Sequence, residues 1–258
     1  MSEFREVMGN KLQSLNKMIE RPRKTVYCFP DSCIQKVIVL APHPDDETLG
    51  CGGVIYSLQQ KGADVAVILA TDGNSGSRIE DIKRVRAEEF QAAVSVLGVS
   101  NTYKLGYPDG SLCKYEDSAA KDISKIFDRE KPDLVFTPYI FDFNPDHVST
   151  SSILKKCISM DNRLLIAMYE VWTPILHPDC YYNISDVFNM KLLAIKCYES
   201  QERYYGIREK AIALNSFRAR MSMRRNVMYM EAFRLFHPQD YIEAVEVLSE
   251  IASMSEEL

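Results

Sequence analysis

The chain has 258 residues, 46% hydrophobic, 26% charged and 10% aromatic, proportions that exclude disordered, collagenous and coiled-coil classes. At this length roughly three quarters of the unfolded surface can be buried, so the core needs no disulfide or metal staple. The 31 basic and 36 acidic residues leave a net charge of -5, which argues against nucleic acid as a partner, because a duplex-binding surface carries a basic excess.

The chain opens on an amphipathic pattern. Phe4, Val7, Met8, Leu12, Leu15, Met18 and Ile19 recur at three- and four-residue spacing, which predicts a helix within residues 1–24. The basic run Arg21 to Lys24 suits a helix C-terminus, and Pro22 stops it. The segment holds no apolar h-region, and no apolar run anywhere approaches about 18 residues, so neither a signal peptide nor a membrane span is expected. Seven cysteines at irregular spacing, with Cys28 and Cys33 the nearest pair and no CxxC, do not make a disulfide framework. The expectation is a reduced, cytoplasmic protein.

Five apolar, β-branched runs follow, at 36–41, 64–70, 102–105, 133–137 and 164–169. Between them lie helical patterns at 48–60, 79–97, 116–130 and 147–159. The first two runs are nearly continuous in apolar residues, as strands buried on both faces should be. The alternation predicts an α/β fold, a Rossmann-like, doubly wound parallel sheet whose sites lie at the C-terminal strand ends. From about residue 186 the pattern reads helical, at 186–199, 203–220, 222–236 and 240–254. The expected organisation is a helix over 1–24, one domain over 35–201, and a helical extension over 202–258 packed on that domain. Arg203, Arg208, Arg218, Arg220, Arg224 and Arg225, interspersed with Glu202, Glu209 and Glu231, read as a solvated helix face. An anionic substrate or a contact within a homo-oligomer is the alternative.

The most informative stretch is Ala41-Pro42-His43-Pro44-Asp45-Asp46-Glu47, directly after the first strand. His43 and Asp46 are one helical turn apart, so both side chains can enter one space. An imidazole, a carboxylate and one further ligand make a three-ligand catalytic metal site. Asp45 would lie beside the metal without binding it, where a free carboxylate can take a proton from water. The competing reading is a Pro-Asp turn whose aspartates cap the following helix. Against it stand three consecutive acids after a buried strand, which need a counter-charge. A second block, Phe141-Asp142-Phe143-Asn144-Pro145-Asp146-His147, follows the fourth strand. Strands 1 and 4 of such a sheet are neighbours, so His147 is the natural third ligand.

These blocks resemble the PIG-L/LmbE-like N-deacetylases. The resemblance spans about residues 35–201. It rests on His43 to Glu47, Gly50-Cys51-Gly52-Gly53, Thr71-Asp72-Gly73, Arg86 with Glu88, Leu97-Gly98-Val99, Asp109-Gly110, the Asn144 to His147 block, and Lys196 with Ser200-Gln201. It implies His43, Asp46 and His147 as zinc ligands, although the same donors suit other divalent metals. Asp45 would be the general base, and Arg86 and Asp109 would contact the substrate sugar. Most relatives carry a histidine where this chain has Asn144. Its amide can donate a hydrogen bond to an oxyanion but cannot carry a proton. Proton delivery to the leaving amine would fall to Asp45 or another group, with His177 in reserve. Proximity in sequence suggests that Asp142 orients Asn144 or a substrate hydroxyl.

The implied activity is zinc-dependent removal of an acetyl group from an N-acetylated amino sugar, a small molecule. Two rivals remain at this stage: a weak or inactive sugar-binding relative, because of Asn144, and a scaffold acting through the helical C-terminus. The stretch Gly50 to Gly53 is not a dinucleotide fingerprint, since acids at the helix start would repel a pyrophosphate; its glycines are expected to admit close packing. Tyr198, Tyr204 and Tyr205 read as core or subunit packing, and His237 as a surface residue. Specificity is expected in the loops 72–80, 106–116 and 173–185.

Overall fold

The computed structural model describes residues 34–75, 80–159 and 163–256, together with Gly9, Gln13, Val26 and Phe29. Apart from Gly9 and Gln13 the expected N-terminal helix lies outside them, as do Cys28 and Cys33. Each β and α run expected between residues 36 and 159, and the strand expected at 164–169, is found. In chain order these are β1 (Lys36–Ala41), α1 (Asp46–Gln60), β2 (Asp64–Thr71), α2 (Ile82–Val96), β3 (Asn101–Tyr107), α3 (Glu116–Glu130), β4 (Leu134–Pro138), α4 (Pro145–Cys157) and β5 (Leu165–Tyr169). Then come β6 (Cys180–Asn183), α5 (Phe188–Lys196), α6 (Glu199–Tyr205), α7 (Ile207–Met221), β7 (Met230–Phe236) and α8 (Pro238–Glu256).

The described strands form one sheet in the order β3-β2-β1-β4-β5-β7-β6. The first five run parallel, while β7 pairs antiparallel with both β5 and β6. Alternation along β1 sends Val37, Val39 and Ala41 to a core shared with α1, α2 and α5, and Ile38 and Leu40 to one shared with α3, α4 and α8. Helices on both faces make the sheet doubly wound. The winding reverses between β1 and β4, which pair at Val37 with Leu134 and Val39 with Phe136. Their C-terminal ends therefore open the crevice in which such folds bind ligands.

The segment 222–236 is not the expected helix. It is a turn followed by β7, whose Met230, Ala232, Phe233 and Phe236 are buried. The apolar spacing of Met-Glu-Ala-Phe-Arg-Leu-Phe suits one helical face as well as a strand buried on both sides, and the sheet edge beside β5 decides between them. Of the arginines expected on a solvated face, Arg218 is buried and paired with Glu170. Arg203, Arg208, Arg220, Arg224 and Arg225 are exposed. Among the described residues, no helix is long and apolar enough to cross a membrane.

The glycines of α1 do admit close packing. A Cβ on Gly50 would lie 2.1 Å from the Tyr169 ring, and one on Gly53 would lie 2.6 Å from Ile184. Tyr169 is fully buried and its hydroxyl donates to the Leu40 carbonyl at 2.7 Å, so the ring cannot swing aside without losing that bond. Gly50→Ala is therefore expected to destabilise by about 1–3 kcal/mol through overpacking. At roughly 2–4 °C per kcal/mol for a chain of this size, a thermal melt resolves that loss. An unchanged midpoint would refute the tight contact.

Candidate metal centre

Both sequence blocks arrive at the same place. The His43 and His147 ring centroids are 5.3 Å apart, and one ligand atom from each of His43, Asp46 and His147 lies within 4.8 Å of the others. Asp46 Oδ2 is the hub. It accepts the His43 backbone N–H at 2.8 Å and lies 3.1 Å from both His43 Nδ1 and His147 Nε2. All three residues are buried.

Each imidazole has a carboxylate behind it. His43 Nε2 lies 3.2 Å from Asp109 Oδ1 and 3.3 Å from Asp146 Oδ2, and His147 Nδ1 lies 3.5 Å from Asp142 Oδ1. A carboxylate behind an imidazole fixes its tautomer and turns the other nitrogen's lone pair toward the hub, the arrangement found around metal-ligating histidines. Neither nitrogen of the buried His147 ring makes a hydrogen bond, although Asp142 lies near Nδ1, and Nε2 is the one turned to Asp46 and the hub. That orphaned nitrogen, facing a carboxylate and a second imidazole, fits a cation.

Electrostatics agree. Burial opposes charging of His147, yet Asp46 and Asp142 carry it up to about 9. Burial likewise opposes charging of His43, and Asp109, Asp146 and Asp46 raise it well above the usual histidine range. Asp46 is pushed up by burial but held far below the usual carboxylate range by the histidines. The acids around the hub thus draw positive charge into the site. A second set, His43 with Asp109 and Asp146, shares one imidazole with the first. It is the poorer candidate, because both oxygens of Asp146 already accept backbone N–H groups, from Gly110 at 2.7 Å and Leu112 at 3.0 Å.

Asp45 stands beside the hub as expected. It precedes α1 with φ at 121°, a conformation that L-residues other than glycine rarely adopt and that is kept where the surroundings enforce it. Three contacts do so. Its N–H donates to Glu47 Oε2 at 3.3 Å, and its carbonyl accepts from Thr48 and Leu49 at 3.1 and 2.9 Å. Glu47 is fully buried and receives the hydroxyls of Thr48 and Tyr198. Burial pushes the Asp45 carboxyl up to about 7, against the pull of Arg86, whose guanidinium lies 3.6 Å away.

The other expected residues divide. Arg86 and Asp109 line the cleft, 3.6 Å apart, but Arg86 spends donors on the carbonyls of Pro44 at 2.9 Å and Gly73 at 3.3 Å, tying two strand-end loops together. Asn144 lines the cleft as well. Its Oδ1 caps α4 by accepting the Asp146 N–H at 2.9 Å, which leaves the amide Nδ2 as its free donor. Asp142 is not among the residues lining the cleft. Its carboxylate is buried behind His147 and accepts the backbone N–H groups of Asn144, Trp172 and Thr173 at 3.0–3.1 Å. Its partners are thus His147, Asn144 and the loop after β5.

His177 is exposed and is not among the residues lining the cleft. Of the tyrosines read as core or subunit packing, Tyr198 is core, whereas Tyr204 and Tyr205 are exposed and Tyr205 lines the cleft. Sequence reading misses Asp146, although it adjoins His147. It also assigns no role to Trp172 and none in the cleft to Gln201; with Ser75, from a loop expected to set specificity, they wall a cavity of about 190 Å³ with the residues above. Trp172 is the chain's single tryptophan, the one signal that could have marked it.

A family model described as "PIG-L: GlcNAc-PI de-N-acetylase" matches residues 38–158. Diacetylchitobiose deacetylase of Thermococcus kodakarensis is 28% identical over 223 residues, covering 78% of this chain and 79% of that protein. A probable N-acetyl-alpha-D-glucosaminyl L-malate deacetylase 2 of Bacillus cereus is 28% identical over 190 residues, covering 64% of this chain and 83% of that one. Among solved structures, N,N'-diacetylchitobiose deacetylase from Pyrococcus horikoshii aligns with a TM-score of 0.71 at 25% identity, covering 89% of this chain and 94% of that one.

Proposed function

Because the chain belongs to the PIG-L/LmbE-like family of N-deacetylases, we propose that it is a metal-dependent amidohydrolase removing the acetyl group of an N-acetylated amino sugar. The observation that carries this is the convergence of His43, Asp46 and His147 to within 4.8 Å, with the carboxylate of Asp45 alongside. Two nitrogens and one oxygen, with one side open to a cleft, suit zinc. A dication held there supplies Lewis-acid polarisation of the acetamide carbonyl and lowers the pKa of water.

The chain's own residues do the rest. Asp45 takes the proton of the attacking water, held in place by its strained backbone and by Arg86. Asn144 Nδ2 donates to the carbonyl oxygen as it becomes an oxyanion, a contact of the kind worth roughly 3–4 kcal/mol. Trp172 and Tyr205 put aromatic side chains on the wall beside a bound sugar. A cavity of about 190 Å³ is smaller than drug-sized pockets, which suits one acetamido sugar with the rest of the substrate projecting outward.

Acetate release from N-acetylglucosamine, diacetylchitobiose and N-acetylglucosaminyl malate, with metal content measured on the same sample, tests the reading. Asp45→Asn should keep its metal and lose about 10²–10⁴ in kcat. A metal-loaded protein that binds these sugars and releases no acetate would instead be a sugar-binding relative.

A further inference from the structure

The cavity of about 190 Å³ takes one acetamido sugar, so whatever that sugar carries lies beyond it. Three aromatic rings in contact lead out of the cleft. Tyr205 and Trp172, two of its walls, meet edge-on with centroids 5.7 Å apart. Phe143, which is not a lining residue, follows with its centroid 6.3 Å from that of Trp172. Phe143 is 73% exposed and Tyr205 54%. One exposed ring needs no explanation, but two joined through a cleft wall make an apolar patch, and such patches mark binding surfaces.

The loop that carries Phe143 is firmly held. Asp142 Oδ1 accepts the Asn144 N–H at 3.1 Å, and Asn144 caps α4. Asp142 Oδ2 accepts the N–H groups of Trp172 and Thr173 at 3.0 and 3.1 Å. One buried carboxylate therefore sets the spacing of Phe143 and Trp172, and a ligand meets a surface that is already ordered. Trp172 has one face taken by Lys210, whose Nζ lies 3.5 Å from the ring centroid. Phe143 is the open ring beside Asn144, which lines the cleft.

The patch suits an uncharged ring with C–H faces. Arg86 is the one lysine or arginine among the described residues lining the cleft. It spends donors on the carbonyls of Pro44 and Gly73, with Asp45 and Asp109 each 3.6 Å away. A carboxylate or phosphate carried by the acetamido sugar would find no free cation there. A pyranose lays its axial C–H groups on an aromatic ring and leaves its hydroxyls in water.

We propose that Phe143 is the platform of a second sugar subsite, on which the pyranose ring joined to the acetamido sugar stacks; this rests on the amidohydrolase reading above and names its substrate class. The preferred substrate is then an oligosaccharide, ahead of a monosaccharide or a glycoside of a small charged acid. One loop serves both rings: Asn144 lines the first subsite and Phe143, its neighbour in the chain, carries the second.

The test measures acetate release from N-acetylglucosamine and from diacetylchitobiose by metal-loaded wild type, Phe143→Ala and Phe143→Tyr. The wild type should favour the disaccharide in kcat/KM. In Phe143→Ala the disaccharide-to-monosaccharide ratio of kcat/KM should fall by about 10-fold, through KM for the disaccharide and not through kcat, as lost uniform binding requires. Phe143→Tyr keeps the ring and should keep the ratio. A wild type indifferent to the second ring overturns the proposal. An unchanged ratio in Phe143→Ala overturns it too, and if activity on both sugars falls together with the mass by light scattering, Phe143 belongs to a subunit contact instead. A wild-type preference for N-acetylglucosaminyl malate over the disaccharide overturns the choice of occupant. If the metal-loaded wild type releases no acetate, the hydrolase reading fails, and calorimetric binding of the two sugars to wild type and Phe143→Ala decides the subsite by the same ratio.

Discussion

Asp46→Ala should abolish metal binding and acetate release together. Asp46 Oδ2 is the one atom that faces both imidazoles, at 3.1 Å from each, and it also receives the backbone N–H of His43. Removing it deletes a ligand and the group that fixes the start of α1, and it leaves two buried histidines with no carboxylate between them. Asp142→Asn is the graded control. Its side chain touches His147 Nδ1 but lies outside the ligand set, so metal affinity should fall by about 10–100-fold, with activity recovered at high metal concentration. Metal analysis after dialysis and an acetate assay across added zinc separate the two variants. Full activity in a metal-free Asp46→Ala protein would end the hydrolase interpretation.

The five parallel strands are legible because their residues need no context. Val-Ile-Val-Leu and Val-Ala-Val-Ile-Leu bury on both faces wherever they lie, and the segments between them carry helical spacing. The ligand blocks are legible for a related reason. His43 to Asp46 and Asn144 to His147 are contiguous, each at the tip of a strand, and the winding rule alone makes β1 and β4 neighbours. What escapes is long-range. β7 reads as a helix because its seven residues suit either period and only its place between β5 and β6 decides. Sequence proximity does not say on which side of an imidazole a carboxylate will lie, so the place of Asp142 behind His147 is not legible. Trp172 and Lys210 belong to no motif and meet only when α7 folds over the loop after β5.

The same long-range logic makes Lys191 and Glu231 sensitive positions outside the cleft. Helix α1 is broken at Cys51, where φ is -144° and ψ is 19°. In an unbroken helix the Gly53 N–H would donate to the Leu49 carbonyl. Here Lys191 Nζ donates to Leu49 O at 2.8 Å, and Glu231 accepts from Gly53 and Val54 at 2.9 and 2.8 Å. Nζ also meets Glu231 Oε1 at 2.7 Å, with both side chains at most 1% exposed. A buried ion pair thus stands in for the missing turn, and the turn before it carries Asp46 and Glu47.

Lys191→Met should cost about 3–5 kcal/mol, because it strands a carboxylate in the core. At roughly 2–4 °C per kcal/mol the melting midpoint should fall by roughly 6–20 °C. Adding Glu231→Gln to it should recover part of that loss, since the stranded charge is gone and the amide oxygen can still accept one backbone N–H. Full recovery is not expected. Leu49 O and one of the two N–H groups stay unpaired, at about 1–3 kcal/mol each. The double mutant should therefore melt between Lys191→Met and wild type, with kcat reduced because the ligand-bearing turn is less firmly held. A double mutant less stable than Lys191→Met, by chemical denaturation, would show that the pair is not coupled and that the break in α1 is held by something else.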